Sequence, residues 1–140
     1  EYSSTVLHPQ TTHNVIDMME AQKQMVNKGG SMRLGAYPCR LKKGSKVEQI
    51  YSSLLKDGSD IIYERHRHRY EFNHDYQADF EQHGMECVGI NPESGLVEIL
   101  CLQNHPWYIG VQFHPEYSST VLHPHPLFVD FVKAATKVNL

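Results

Sequence analysis

The sequence predicts an α/β domain, and three observations carry that expectation. The hydrophobic run Trp107-Tyr-Ile-Gly-Val-Gln-Phe113 has the composition of a strand buried on both faces. Two apolar segments, residues 85–90 and 96–102, flank Asn91-Pro-Glu-Ser-Gly95 and read as an antiparallel hairpin with a five-residue loop. Val47, Ile50, Tyr51, Leu54 and Leu55 recur at helical spacing over residues 46–55. Strands with flanking helices around one core define the α/β class.

The nine residues EYSSTVLHP at 1–9 return unchanged at 116–124, while their flanks differ. This is not the fixed-period repeat of a solenoid or propeller. Val15-Ile-Asp-Met-Met19 predicts a short strand, followed by a polar stretch over 20–28 that ends at Gly29-Gly30. Residues 31–41 alternate Met32, Leu34 and Ala36 on one side, which predicts an extended segment with that side half-buried. Pro38 lacks an N–H and therefore predicts an edge or a bulge. Ser45-Lys-Val-Glu48 has capping-box spacing at the start of the 46–55 helix, and Asp57-Gly58 predicts a turn after it. Ile61-Ile-Tyr63 enters a strand leading into Glu64-Arg-His-Arg-His-Arg-Tyr-Glu71. A short helix is expected over 76–83, with Gly84 as its left-handed terminator. The 107–113 strand stops at His114-Pro-Glu116. Pro126, a favoured first helical residue, opens a last helix whose apolar stripe is Phe128, Phe131, Val132 and Ala135.

Composition excludes several classes. A formal net charge of −3 offers no general attraction to nucleic acid or to an anionic membrane. No apolar run approaches the roughly 20 residues of a membrane span. Cys39, Cys87 and Cys101 are odd in number, form no C-x-x-C and lie in apolar stretches. They predict reduced core thiols in a cytoplasmic protein rather than a disulfide framework.

Two stretches hold residues suited to chemistry. In an extended segment His114 and Glu116, at i and i+2, point the same way, and Pro115 restricts the backbone between them. Glu116 can then orient the His114 ring and stabilise its imidazolium, the base and orienter of a nucleophilic triad; a surface turn with two unrelated polar residues fits as well. In Glu64–Glu71, an extended chain places Arg65, Arg67 and Arg69 on one side and His66, His68 and Tyr70 on the other. The arginines suit forked hydrogen bonds to a carboxylate or phosphate. A solvated strand face, a histidine metal site and a nucleic-acid contact are the competing readings. Gly29-Gly-Ser-Met-Arg-Leu-Gly35 matches no phosphate-binding glycine motif and by itself indicates no ligand.

Taken in order and spacing, Gly29-Gly-Ser-Met-Arg-Leu-Gly35, Glu64-Arg-His-Arg-His-Arg-Tyr-Glu71, Asn104-His-Pro-Trp107, Gln112-Phe-His-Pro-Glu116 and Pro126-Leu-Phe128 resemble the CTP synthase family. The resemblance is to the C-terminal part of that family's class I glutamine amidotransferase domain, and it spans about residues 9–135. Q-F-H-P-E alone fits any class I amidotransferase; the glycine and arginine–histidine motifs narrow the choice. The resemblance implies a mixed, largely parallel central sheet flanked by helices, plus a β-hairpin. It implies glutamine hydrolysis by a cysteine–histidine–glutamate triad. The ammonia then aminates UTP to CTP in a synthetase domain of the same chain, with ATP and magnesium, GTP as allosteric activator, and a homo-oligomeric enzyme. His114 and Glu116 match the triad base and its carboxylate, and Arg69 matches the arginine that holds glutamine. No cofactor and no metal ligand is implied within these residues.

The departures set further expectations. The family's nucleophile lies on a G-x-C-x-G turn upstream of every matching residue, and Glu86-Cys-Val-Gly89, its nearest imitation, falls in a hairpin strand. Residues 1–9 are expected to be a duplicated or misjoined segment, with Glu1 no second catalytic carboxylate. Residues 10–140 are expected to be the C-terminal part of the amidotransferase domain without its nucleophile half. The chain alone is therefore expected to be inactive and to expose a strand edge that favours self-association. A non-catalytic binding or regulatory module that retains the fold is the alternative.

Overall fold

The computed structural model describes residues 2–18, 32–56 and 58–137; Glu1, the polar 20–28 stretch, Gly29–Ser31 of the glycine motif and Asp57 lie outside them. The described strands, in chain order, are β1 (Tyr2–Ser4), β2 (His13–Met18), β3 (Arg33–Leu41), β4 (Ile61–His68), β5 (Tyr70–Phe72), β6 (Met85–Ile90), β7 (Val97–Leu102) and β8 (Ile109–Val111). The described helices are α1 (Lys46–Tyr51), α2 (Gln77–Gln82) and α3 (Pro126–Lys137), with single 3-10 turns at His74–Tyr76 and Pro115–Tyr117. β4-β3-β6-β7-β8 form one sheet and β1-β2-β5 a smaller one.

The α/β class holds, and the smaller sheet is mixed: β1 runs parallel to β2, and β5 antiparallel to it. Every pairing in the larger sheet is antiparallel, so the largely parallel character expected of the central sheet is absent among the described residues. Short links favour antiparallel pairing at β6–β7 and β7–β8, because a parallel crossover usually takes about a dozen residues or more. The β6–β7 link instead closes on itself through Asn91 N–H to Leu96 O at 2.8 Å and Gly95 N–H to Asn91 O at 2.9 Å, as the hairpin reading predicts.

β3 shows why hydropathy misassigned a face. Met32, Leu34 and Ala36 were expected inside, yet Leu34 is 60% exposed and Ala36 is exposed too. Inward-facing instead are Arg33, Cys39 and Leu41. The partner strand decides this, because directly paired residues share a face: Cys39 opposes Ile62, Tyr37 opposes Glu64 and Arg33 opposes His68. β4 buries Ile62, Glu64 and His66. A buried, charge-paired arginine reads as polar and inverts the apparent pattern. Pro38 fulfils the edge expectation, since β6 pairs only with Arg40 and Leu41 and leaves β3 bonded to β4 alone at that point.

The 107–113 run is a strand only over 109–111, half-buried at the end of the sheet, where it pairs with β7 on one side. Phe113, 3% exposed, is its core residue. Ser45 caps α1 by accepting from Glu48 N–H at 3.1 Å, while Glu48 Oε2 accepts from Gly44 N–H at 2.6 Å. α1 ends at Tyr51, short of the predicted 55, because Ser52 and Ser53 are weak helix formers and the chain closes in turns. α2 ends as expected at Gly84, whose φ is +83°. α3 starts at Pro126 as predicted, but its stripe does not face inward: Phe128, Phe131 and Val132 are 42%, 49% and 58% exposed. The helix is oriented instead by buried Leu127 and by Trp107 Nε1–H donating to Asp130 Oδ2 at 2.8 Å.

Leu41, Val47, Tyr51, Ile62, Ile99, Phe113 and Leu127 form the main core with Cys39 and Cys101. Phe72, Val97 and Cys87 form a second cluster, against which Ile16, Tyr76, Phe80 and Leu100 pack. All three cysteines are free and buried, as the sequence predicts. Gly89 lies between β3 and β7 where a Cβ would come within 2.6 Å of Ile99 Cγ1 and 2.8 Å of Cys39 Sγ, which only glycine avoids. No helix among the described residues is long and apolar enough to cross a membrane.

Candidate active site

The site grows from Phe113, whose burial fixes the residues after it. His114 N–H donates to Arg65 O at 2.8 Å and ties this corner to β4. Pro115, buried, then opens a 3-10 turn rather than the extended backbone expected. That turn still brings the i, i+2 pair together: His114 Nδ1 lies 2.7 Å from Glu116 Oε1. The carboxylate can only accept, so Nδ1 carries the proton and Nε2 is left as the basic nitrogen. This hydrogen bond holds the Glu116 carboxyl below the usual carboxylate range. The Tyr117 ring stacks on His114 at 5.0 Å with an interplanar angle of 20°.

Tyr117 also lines an open cleft of about 890 Å³ with Arg65, Arg67, Arg69, His66 and Leu34. Arg69 sits exposed in the bend between β4 and β5. Of the three predicted residues, Arg69 lines the cleft, whereas His114 and Glu116 are not among its lining residues and His114 adjoins it only through the stacked Tyr117 ring. Arg65 and Arg67 face out and His66 faces in, as alternation predicts.

Beneath the cleft lies a charge cluster that sequence reasoning missed. Arg33 Nη2 is 2.6 Å from Glu98 Oε1, and Nη1 is 3.7 Å from Glu71 Oε1. His66 Nδ1 lies 3.7 Å from Glu98 Oε2 and 2.7 Å from His68 Nε2. Ligand atoms of His66, His68 and Glu98 fall within 4.8 Å of one another, a spacing a metal could use. The Arg33 guanidinium already supplies the positive charge these acids call for. Arg33 belongs to the glycine motif and Glu71 ends the arginine–histidine run, so both were visible; Glu98, inside an apolar hairpin strand, carried no signal.

Burial, then the Arg33 charge, lowers His66 to about 3, and burial chiefly lowers His68 to about 4. Burial raises Glu71 to about 7. The imidazoles are neutral in the folded protein at pH 7. As pH falls below the ordinary value of 6.5, the unfolded chain takes protons that the folded chain does not. The histidines' contribution is therefore complete above pH 6.5 and is lost on acidification; Glu71, with a raised value, acts oppositely and favours the folded state most at low pH. Between pH 6.5 and 4.5, His66→Phe should remove a slope of about 1.4 kcal/mol per pH unit from the acid side of the stability profile. Urea midpoints of both proteins at matched pH measure this, and equal slopes would mean that His66 titrates normally in the fold.

The cysteines lie in the two cores and none of them lines the cleft, though Cys39 is near enough to Glu98, Glu64 and Arg33 to feel their charges. Burial pushes the Cys87 thiol up to about 12 and raises Cys39 and Cys101 as well.

The glutamine amidotransferase class-I family matches residues 6–134, and the chain belongs to that family. More particularly, the chain is similar to proteins named CTP synthase. It is 62% identical to that of Bacteroides fragilis over 133 residues, covering 95% of this chain and 24% of that protein. It is 50% identical to that of Moorella thermoacetica over 135 residues, covering 96% and 24%. Among solved structures, the glutaminase domain of Trypanosoma brucei CTPS with bound acivicin matches with a TM-score of 0.84 and 33% identity, over 99% of this chain and 52% of that one. The chain spans about a quarter of the length of these curated relatives.

Proposed function

We propose that this chain is the segment of a glutamine-hydrolysing CTP synthase that supplies the general base, its orienting carboxylate and the arginine that holds the substrate. The observation that carries this is the 2.7 Å His114–Glu116 pair beside a cleft walled by Arg69. In the proposed reaction His114 Nε2 takes the proton of a cysteine thiol, and the thiolate attacks the carboxamide carbon of glutamine. The imidazolium returns the proton to the leaving nitrogen, ammonia departs, and water hydrolyses the thioester with His114 again as base. Arg69 grips the α-carboxylate. The thiol comes from a G-x-C-x-G turn that this chain does not contain. The ammonia aminates UTP in a synthetase domain, where ATP and magnesium act; GTP activation, a homo-oligomer and a cytoplasmic location belong to the same reading. No residue of this chain is assigned to those nucleotides or to the metal.

Ammonia release from glutamine tests it. The chain alone should show none above background. A polypeptide joining it to the cysteine-bearing turn should hydrolyse glutamine and lose at least about a hundredfold in rate on His114→Ala. Ammonia from the chain alone, abolished by His114→Ala, would make one of its buried cysteines the nucleophile; an unaffected longer polypeptide would remove His114 from the base role. The burial of the three thiols favours a second reading, a non-catalytic binding or regulatory module, which gains if the joined polypeptide binds glutamine without hydrolysing it.

A further inference from the structure

We infer that His68 is a positioning residue for Arg69, holding the bend from which that guanidinium enters the cleft. This rests on the reading of Arg69 as the carboxylate-holding group. Arg69 is the single residue between β4 and β5, where the chain leaves the larger sheet for the smaller one. His68 is registered to Arg33 in β3, and Tyr70 is registered to Met18 in β2. The two halves of the bend thus belong to different sheets. Across them, His68 Nδ1–H donates to Tyr70 O at 3.0 Å, spanning Arg69.

The carbonyl can only accept, so this bond fixes the tautomer. His68 Nδ1 bears the proton and Nε2 is free to accept from His66 Nδ1–H at 2.7 Å. Two neutral rings then relay the rigidity of buried β4 to the exposed bend. Glu71, 1% exposed and paired with Arg33, lies 3.4 Å from the same His68 Nδ1, farther than the Tyr70 carbonyl. An exposed arginine loses affinity to rotamer and backbone freedom unless its Cα is fixed, and holding the bend removes the backbone part of that loss.

The test has two readouts on the same four proteins. Wild type, His68→Leu, His68→Asn and Ile99→Val are compared, the last a core change that lowers stability without touching the bend. Backbone ¹⁵N relaxation should show a lower order parameter at Arg69 in His68→Leu. His68→Asn, whose amide N–H₂ replaces Nδ1–H, should restore it, and Ile99→Val should leave it unchanged. L-glutamine titration followed by NMR should show affinity reduced severalfold in His68→Leu and recovered in His68→Asn. Arg69→Ala, added as reference, should lose at least tenfold. An Arg69 order parameter unchanged in His68→Leu overturns the positioning role. Glutamine affinity unchanged in Arg69→Ala, or no binding by wild type, overturns the reading of Arg69 beneath it, and the relaxation result then shows separately whether His68 orders the bend.

Discussion

Arg33→Met should cost about 3–5 kcal/mol of stability, the expected loss when one partner of a buried ion pair is removed. Glu71 and Glu98 are each 1% exposed, and Arg33 is the cation shared between them. Its guanidinium also lies 4.4 Å from the centre of the Tyr37 ring, which adds a cation–π contact. Without it, two buried carboxyls face two neutral imidazoles, and the acids are driven to protonate. Burial has already raised both carboxyls, so their values would rise further. The variant's deficit should therefore be largest at pH 7 and shrink on acidification. Arg33→Lys should recover only part of the loss, because one ammonium cannot serve two acids as a planar fork does. Urea unfolding at pH 7 and pH 5 measures both effects. A loss below about 1 kcal/mol at pH 7 would mean that the acids are hydrated or already neutral in the fold.

Glu64→Leu should cost about 3 kcal/mol, the sum for two buried donors left without an acceptor at about 1–3 kcal/mol each. Tyr51 O–H and His125 Nε2–H both reach Glu64 Oε1 at 2.8 Å, and all three residues are buried. His125 Nδ1 accepts from Leu127 N–H at 3.3 Å, in the first turn of α3, which leaves Nε2 as the donor. One carboxylate oxygen thus joins α1, β4 and α3. Glu64→Gln keeps an oxygen acceptor and should lose only about 1 kcal/mol. Amide hydrogen exchange should accelerate throughout α3 in Glu64→Leu and little in Glu64→Gln. Equal losses in the two variants would show that volume, not the acceptor, matters at this position.

Much of the local structure was legible in particular residues. Ser45 and Glu48 marked the start of α1, Gly84 the end of α2, Pro126 the start of α3, and Asn91–Gly95 the hairpin loop, because caps and turns are satisfied within a few residues of themselves. The outward arginines of β4 followed from alternation alone. The faces of β3 and α3 were not legible. Arg33 turns inward because Glu71 and Glu98 wait there, and both acids are distant in sequence. Phe128 and Phe131 stay about half exposed, packed on the His125 and Trp107 rings, which are distant in sequence or lie outside the helix. Within the candidate site, His114 and Glu116 were visible as a pair. Tyr117, which joins them to the arginine cleft, gave no signal.

The repeated EYSSTVLHP separates the two sources of information. Residue identity determined that each copy carries the same side chains, and in both the Val-Leu pair stays exposed, at 53% and 75% in the first copy and 98% and 85% in the second. Tertiary surroundings decided everything else. The first copy places Tyr2 against His13 at 4.9 Å and bonds Thr5 N–H to Ile16 O at 3.1 Å, forming a strand because β2 offers it an open edge. The second follows a buried Phe113 and a proline, so its Glu116 and Tyr117 join a 3-10 turn with Tyr117 stacked on His114, and no strand forms. Nine residues cannot satisfy their own backbone groups, and they take the conformation whose partners the rest of the chain supplies.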